Sequence, residues 1–411
     1  GRVARPFVTD PQQLTQVQVA VTYLIALSML FTSPLQLYFT RYIADRIFEK
    51  DIRRILPNTL GAVLLIIAAF SVTLYPVFII SFRELSPVFA VFFIMTLGLM
   101  GSIWLLNTLL TGIKDYKYIG FSFLSSYLLI IAGTYFLSGT GLRGLMLAFF
   151  LGQALLFFLL LGAVIYHYPS DRLVEFDFLR KNRLYPVLII TGTIYNLAIW
   201  ADKFIFWLHP ETGDNVLGPL KNSVIYDLPI FLAYLAIAPG MSIMFLRLET
   251  DFVEAYDGYF SAVTTGENLR RIYNRNAELA AAARLMLVEV LRIQAIVTIG
   301  ILLASDLLFD FFGLPRIYQP LFHIDLIGTQ AQLFFTAVLS LLFYLNRQKE
   351  CLGLVTLLLV LNTSLSWLSI YLGPFFHGYG FTVSFIITGM LGVVLLNRLM
   401  TNITYETFML S

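Results

Sequence analysis

The sequence sets an acidic and a basic residue side by side in an apolar stretch. Asp202 and Lys203 lie in AIWADKFIFW, residues 198–207, whose other side chains are aliphatic or aromatic. A charge at the centre of a bilayer costs about 2.5–3.5 kcal/mol on insertion scales, so such residues usually have a partner or a function. Neighbouring helical positions point about 100° apart, so Asp202 and Lys203 cannot share one face. We expect Asp202 to face a cleft between two lobes, and Lys203 to snorkel or to pair with a carboxylate of a neighbouring helix. An ion pair that only orients the helix is the alternative.

Asp202 follows the interfacial Arg183 by about nineteen residues, roughly 28 Å along a helix, which predicts a position near the outer membrane surface. Further polar residues are predicted near the same level. The full set of transport-path candidates is Tyr195, Asn196, Asp202, Lys203, Asp227, Asp306, Asp310, His323 and Asp325. Asp306 and Asp310, four residues apart, are predicted to share one helix face. Carboxylates in a water-filled cleft suit a cationic substrate, because they stay partly hydrated. Helix ends near water also carry acidic residues for structural reasons alone.

Two more pairs of residues invite a mechanical interpretation. Glu289 and Arg292 are three residues apart and are predicted either to pair locally near the headgroups or to form a cytoplasmic gate. Pro34 and Pro239 lie within predicted spans, where proline removes a backbone hydrogen bond and allows bending. We expect kinks at both prolines, either static or linked to movement.

Composition places all these residues in a membrane protein. Of 411 residues 58% are hydrophobic, and the mean hydropathy is +0.81, which predicts a polytopic chain. The net charge of +2 gives no indication of a nucleic-acid partner. The one cysteine, Cys351, excludes an intrachain disulfide, and no Cys/His cluster has metal-ligand spacing. We predict neither metal nor cofactor.

Eleven apolar runs are long enough to span a bilayer, which takes about 20 residues. They lie at 19–40, 59–81, 86–111, 117–138, 144–167, 184–208, 224–247, 286–309, 320–345, 351–372 and 377–399. Long alternation typical of β-strands is absent, so the fold class is an all-α polytopic membrane protein.

The connecting segments divide into two sets with unequal numbers of basic residues. The richer set has Arg41, Arg46, Lys50, Arg53, Arg54, Lys114, Lys117, Arg172, Arg180, Lys181, Arg183, Arg247, Arg270, Arg271, Arg275, Arg284, Arg347, Lys349 and Arg398. The poorer set has Arg2, Arg5, Arg83, Arg143, Lys221 and Arg316. Because positive charge favours the cytoplasmic side, the richer set and the C-terminus are predicted to lie there.

The chain also repeats itself. SPLQLYFTRYIADRIFE (33–49) is similar to APGMSIMFLRLETDFVEAY (238–256), and GLRGLMLAFFLGQALLF (141–157) is similar to GYGFTVSFIITGMLGVV (378–394). Such repeats predict two lobes of six helices, twelve in the native chain with eleven present and the first expected to precede residue 1.

The predicted division is an N-terminal lobe at 1–168, a cytoplasmic inter-lobe loop at 169–183 and a C-terminal lobe at 184–411. Charged and apolar residues alternate with helical spacing at 42–56, and again in an amphipathic cytoplasmic helix predicted at about 250–285. Both segments are expected to lie on the membrane surface or to bind a cytoplasmic partner.

Three stretches together resemble the polysaccharide exporters of the MOP flippase superfamily. They are WADKFIFWLHPETGDNVLGPLKNSVIYD, SDLLFDFFGLPRIYQPLF and FFHGYGFTVSFIIT. The resemblance covers nearly the whole chain. It implies a two-lobe fold in the bacterial inner membrane and export of a cationic amino-sugar polysaccharide to the periplasm. It also implies a complex with a cytoplasmic glycosyltransferase and membrane partners that include a cyclic-di-GMP receptor subunit.

The sequence thus predicts an exopolysaccharide exporter that works by alternating access between its lobes. The alternatives in the same superfamily are a lipid-linked oligosaccharide flippase and a cation-coupled drug antiporter. A non-transporting scaffold or a membrane glycosyltransferase fits less well, because the sequence has no Gly-rich phosphate loop and no nucleophile–base arrangement.

Overall fold

The chain is described here by a computed structural model. It covers residues 11–81, 87–113, 115–180 and 185–409. The predicted basic residues Arg2, Arg5, Arg83, Lys114, Lys181 and Arg183 lie outside the described residues, as do the first ten residues of the predicted N-terminal lobe and residues 181–183 of the predicted loop.

The structure consists almost entirely of helices. In chain order they are α1 (Pro11–Phe48), α2 (Ile55–Ser81), α3 (Pro87–Ile113), α4 (Tyr116–Leu137), α5 (Leu142–His167), α6 (Pro186–Leu208), α7 (Val224–Leu235), α8 (Ala238–Arg247), α9 (Val253–Thr264), α10 (Leu269–Leu303), α11 (Ser305–Phe312), α12 (Gln319–Tyr344), α13 (Gln348–Leu372) and α14 (Tyr379–Met409). Two short strands, β1 (Asp214–Leu217) and β2 (Leu220–Asn222), form an antiparallel hairpin.

Within the described residues, ten helices are long and apolar enough to cross a membrane. The α7–α8 region passes the same test together with the helical turns that follow it, across a bend of 44°. Counting that pair as one span gives eleven, which is the predicted number.

The chain divides into two compact units. Unit 1 comprises 1–197 and 213–222, and unit 2 comprises 198–212 and 223–411. The division passes through α6 between Leu197 and Ala198. The predicted inter-lobe loop at 169–183 stays a prediction.

In unit 1, α3 is the central helix and packs against α1, α2 and α5, while α4 packs against α5. The apolar core includes Leu217 and Leu220 of the hairpin, which joins this unit through its contacts with α1. Gly218 supplies the positive φ of 56° that the tight hairpin turn requires. Strands of three or four residues leave too short an alternating pattern to be detected in the sequence.

Pro34 lies inside α1, which continues unbroken to Phe48. A proline cannot donate to the carbonyl four residues earlier, here that of Leu30. The hydroxyl of Ser33 donates to that oxygen at 2.6 Å instead. The Ser33 side chain thus replaces the backbone hydrogen bond that Pro34 cannot make, because every backbone polar group in apolar surroundings needs a partner.

A short stretch before α6 is anchored to α1 and α2 within unit 1. Phe178 is fully buried, and its ring packs edge-on against Phe39. Asn58 of α2 accepts hydrogen bonds from the backbone N–H groups of Asp177 (2.7 Å) and Phe178 (3.3 Å). Tyr38 donates to the carbonyl of Phe178.

The amphipathic pattern at 42–56 is therefore mainly a packing pattern. Tyr42, Ile43, Ile55 and Leu56 belong to the core of unit 1, whereas Phe48 is 88% exposed. The expected single helix is replaced by the end of α1 and the start of α2, where Ile47 and Ile52 are also exposed. Its position on the membrane surface stays a prediction.

In unit 2, α12 packs against α7, α10 and α14, and α13 packs against α14. A Cβ at Gly380 would lie 2.4 Å from the backbone nitrogen of Ser366. Glycine therefore permits the close approach of α13 and α14, as small residues do between membrane helices.

The predicted span 224–247 is broken between α7 and α8. Pro239 lies in the first turn of α8, and Gln294 of α10 donates from Nε2 to the carbonyl of Ala236 at 3.0 Å. The kink predicted at Pro239 is thus a break between two helices. The Ala236 carbonyl at this break accepts its hydrogen bond from the Gln294 side chain.

Two helix boundaries differ from the sequence prediction. Residues 250–285 do not form one amphipathic helix, because α9 ends at Thr264 and Gly266 has a positive φ of 68°. Asn268 then caps α10 through its side chain, and α10 continues for 35 residues. The predicted span 286–309 is likewise interrupted at Ala304, between α10 and α11.

Candidate functional site

Asp202 and Lys203 form an ion pair inside unit 2. Nζ of Lys203 lies 3.0 Å from Oδ2 of Asp202, and the two side chains are 5% and 0% exposed. Helical geometry separates their Cβ directions, but the flexible lysine stem folds back to the preceding residue. The expectation that Lys203 pairs with a carboxylate of another helix is wrong, because its carboxylate partner is the adjacent Asp202. Asp202 is buried, and its position at the cleft between the lobes stays a prediction.

The Asp202 carboxylate also receives hydrogen bonds from two other helices. Tyr226 of α7 donates its hydroxyl to Oδ2 at 2.6 Å. Asn362 of α13 donates Nδ2 to Oδ1 at 3.2 Å, and it donates also to the carbonyl of Ala198 at 2.8 Å. Ser366, one turn further along α13, donates to Oδ1 of Asn362 at 3.0 Å. The acid is therefore held by donors from three sides.

The Lys203 ammonium is surrounded by oxygen and aromatic rings. It donates to the carbonyl of Ile199 at 3.0 Å and to the hydroxyl of Tyr234 at 3.2 Å. The Tyr234 hydroxyl in turn donates a hydrogen bond to Oε1 of Gln332 at 2.9 Å. Nζ also lies 4.9 Å from the ring centre of Phe381, within the range of cation–π attraction.

Asp325 of α12 is the second acid of this cluster. It is 0% exposed, and neither carboxyl oxygen has a hydrogen-bond partner within the described part of the chain. A Cβ at Gly378 would lie 2.8 Å from Oδ1, so glycine keeps backbone close to the carboxyl group. Asp325 interacts electrostatically with both Asp202 and Lys203.

We define the buried polar cluster as Asp202, Lys203, Tyr226, Tyr234, Asp325 and Asn362. Its formal charges do not balance when both acids are ionised, because two carboxylates face one ammonium. An unpaired buried carboxylate is strongly disfavoured in an apolar interior, so such a group binds a proton or a cation, or changes its surroundings. The cluster can therefore exist in two charge states.

The remaining acidic candidates do not join this cluster. Asp227 accepts from Nε1 of Trp207 at 2.7 Å and from the backbone of Ser223 at 3.1 Å, and so closes the first turn of α7. Asp310 is exposed and pairs with Arg316 at 2.9 Å. Both contacts fit the alternative given above, in which acidic residues at helix ends near water have a structural role.

Asp306 and His323 meet at the α10–α11 break. Gln319 donates Nε2 to Oδ1 of Asp306 at 2.7 Å and to Oγ of Ser305 at 3.0 Å. Nε2 of His323 lies 2.9 Å from the same Ser305 oxygen. These side chains form a smaller polar group, in which Asp306 is exposed.

The last four candidates lie apart from the buried polar cluster. Asn196 is buried in unit 1, where its amide donates to Gly192 at 3.1 Å, and Tyr195 beside it is half-buried. Glu289 pairs with Arg247 at 2.5 Å, so the predicted local pair of Glu289 with Arg292 is wrong. Glu289 pairs with Arg247 and not with the nearby Arg292, because Arg247 donates two guanidinium N–H groups to its carboxylate.

Among the described residues, no group of three or more His, Cys, Asp or Glu side chains could hold a metal ion.

The model of one protein family matches residues 1–408 of the chain, and its description is "PelG: Putative exopolysaccharide Exporter (EPS-E)". The chain belongs to the PelG family. Among curated proteins, none matches this sequence.

Solved structures similar to this PelG-family chain include transporters of the MOP superfamily. An outward-facing multidrug resistance MATE transporter of the MOP superfamily has a TM-score of 0.67 and 13% identity, covering 98% of this chain and 91% of that chain. An inward-facing structure of such a transporter has a TM-score of 0.61 and 12% identity, covering 98% and 94%. A MOP transporter from Pyrococcus furiosus, described by the reverse polarity of its binding pocket, has a TM-score of 0.66 and 12% identity, covering 98% and 91%.

At these identities the likeness shows the fold, which is the two-lobe helical fold of the MOP superfamily that the sequence predicted. The family and the fold are those of a membrane exporter and not of an enzyme.

The sequence analysis missed half of the buried polar cluster in this PelG-family protein: Tyr226, Tyr234 and Asn362. One available signal was the spacing of Asn362 and Ser366, two polar residues four apart in an otherwise apolar span, which places both on one face. The two tyrosines gave no such signal, because tyrosine is common at membrane interfaces.

Proposed function

We propose that this protein exports a cationic amino-sugar exopolysaccharide of a biofilm matrix from the cytoplasm to the periplasm by alternating access. It would lie in the bacterial inner membrane with its C-terminus in the cytoplasm, as the distribution of basic residues predicts. The family match over residues 1–408 carries the proposal. The similar solved structures include outward-facing and inward-facing states of the same fold, which supports alternation.

The buried polar cluster supplies a device for driving such a cycle. With a proton on Asp325, the cluster is neutral: Asp202 and Lys203 compensate each other, and the carboxylic acid carries no charge. This charge count explains how a carboxyl group without hydrogen-bond partners is tolerated in a span. We infer that the described state carries this proton.

Loss of the proton would place a second negative charge near Asp202. The two carboxylates repel each other, and Lys203 cannot satisfy both in its present position, 3.0 Å from Asp202. The surrounding helices α6, α7, α12 and α13 would then have to rearrange or admit a cation. Proton release and uptake at Asp325 thereby couple an ion gradient to helix movement.

The substrate class rests on the family and on acidic residues at the surface. Asp306 is exposed beside the α10–α11 break, where a hydrated carboxylate can attract an ammonium of an amino sugar without full desolvation. The proposed partners are a cytoplasmic glycosyltransferase that supplies the polymer and membrane subunits that include a cyclic-di-GMP receptor. Membrane lipid is the surrounding solvent.

The test is to deplete the protein in cells that synthesise the polymer and to measure polymer inside and outside the inner membrane. Export predicts that the internal amount rises while the external amount falls, and that wild-type protein restores the original ratio. If both amounts fall together while the other subunits stay at normal levels, the protein serves synthesis rather than transport. Purified protein that turns over nucleotide sugar alone would also contradict the proposal.

A further inference from the structure

Unit 2 contains an apolar groove between α10, α12 and α14, and none of the residues of the buried polar cluster lines it. Its volume is about 220 Å³. It is lined by Ala280, Ala283, Arg284, Leu287, Val288, Leu291, Phe334, Val393, Leu396, Asn397 and Met400. Helices α10 and α14 both pack on α12 more extensively than on each other, which leaves this space between them.

The lining residues follow one stripe on each of the two flanking helices. On α10 the spacing is three or four residues from Ala280 to Leu291, and on α14 it is the same from Val393 to Met400. At 1.5 Å per residue, Ala280 to Leu291 spans about 16 Å. That length is close to half of the bilayer hydrocarbon core, about 15 Å, so the groove matches one acyl chain in one leaflet.

The groove has a polar end and an apolar end. Arg284 and Asn397 lie towards the end of the groove formed by Ala280 and Met400. Just beyond that end, the Asn276 side chain of α10 donates to the Met400 carbonyl of α14 at 3.2 Å. The other end is apolar. An ammonium or guanidinium at the head of an acyl-sized groove matches the shape and charge of an anionic lipid.

Arg284 is available for such a ligand. It is exposed and has no ion pair within the part of the chain that the structure describes. Arg271 and Arg275 of the same helix instead pair with Glu267 and Glu278. The distribution of basic residues between the two sets of connecting segments predicts that Arg284 lies on the cytoplasmic side. Anionic lipid headgroups on that side attract arginine.

We propose that this groove binds one anionic phospholipid, with its phosphate on Arg284 and one acyl chain along Leu287, Leu291 and Phe334. The proposal goes beyond the proposed export function and does not depend on it. A lipid in this position would fill the space between α10 and α14 and tie their relative position to the composition of the membrane.

The test uses the purified full chain in detergent, with native mass spectrometry to count retained phosphatidylglycerol and phosphatidylcholine. Wild type should retain phosphatidylglycerol in preference. Arg284→Gln should weaken that preference about fivefold, the effect of losing one cation near an anionic headgroup. Val393→Phe, which fills the apolar end, should reduce retention of both lipids.

Arg292→Gln is the matched control, because Arg292 is exposed on the same helix but does not line the groove. It should retain phosphatidylglycerol as wild type does. Equal preference in wild type and Arg284→Gln, with both eluting as folded protein of the same size, would overturn the proposal. Loss of preference in Arg292→Gln as well would do the same, since it would indicate a general effect of surface charge.

Discussion

Each unit buries charge, but the two do so in different ways. In unit 1 the buried carboxylate of Asp177 lies 3.0 Å from Arg180 and 3.6 Å from Arg54, and Tyr42 donates to it at 3.3 Å. Those arginines are 73% and 34% exposed, so water shares in their stabilisation. In unit 2, Asp202 and Lys203 are both buried, and Asp325 has no hydrogen-bond partner among the described residues.

Under the proposed function, the difference separates a structural contact from a switch. Asp177 has two arginine partners and lies outside the apolar spans. The buried polar cluster has one acid too many for its single lysine and lies within the spans. We infer that the surplus acid lets the cluster shift between conformations as a proton binds or leaves, whereas the contacts of Asp177 stabilise one conformation.

The largest effect is expected from removing one member of the buried ion pair. Asp202→Asn removes the carboxylate that contacts the Lys203 ammonium and leaves only the more weakly coupled Asp325 to balance it, which should cost about 3–5 kcal/mol of unfolding free energy. Lys203→Met should cost a similar amount by leaving the carboxylate unpaired. Thermal unfolding of the purified protein in detergent measures both.

The double variant Asp202→Asn/Lys203→Met is the control for that experiment. Because it removes both charges, it should be more stable than either single variant. Additive losses would mean that the two side chains do not depend on each other, and the comparison between the units would lose its basis.

A smaller effect is expected at the corresponding acid of unit 1. Asp177→Asn keeps the backbone contacts to Asn58 and loses charge-assisted hydrogen bonds, for a cost of about 1.5 kcal/mol. Export per molecule of folded protein should stay at the wild-type level. A drop in polymer export that exceeds the drop in protein abundance would show that this acid is more than structural.

The smallest effect is expected from Tyr226→Phe, which removes a single hydrogen bond to Asp202 and keeps the ring stacked on Phe206 at 4.0 Å. The expected cost is about 1 kcal/mol. Asn362 and Lys203 still contact the carboxylate, so the fold should survive. Failure to accumulate in the membrane would argue that Tyr226 supports the cluster more strongly than one hydrogen bond allows.

Much of the fold could be predicted from sequence, because apolar runs of about 20 residues have few alternatives to membrane spans. The repeats indicated two lobes in the same way. Helix breaks were harder: the interruption at Ala304 depends on Ser305, Gln319 and His323 meeting across the gap, which no local pattern reveals.

For the candidate site, the sequence named nine transport-path candidates, and three of them, Asp202, Lys203 and Asp325, belong to the buried polar cluster. It did not predict that the other acids would lie outside the cluster. Asp227 meets Trp207 twenty residues away, and Asn362 reaches Asp202 from 160 residues away. Such contacts are set by helix packing, and the spacing of residues within one helix carries no information about them.

Asp325→Asn tests the central claim most directly. Asparagine has nearly the same shape as the protonated acid, but its amide does not titrate and carries no negative charge. The thermal stability of the variant should therefore equal or slightly exceed that of wild type. Polymer export per molecule of folded protein should be lost, because the cluster can no longer change its charge state. Export at the wild-type level from a stable Asp325→Asn protein would contradict the account.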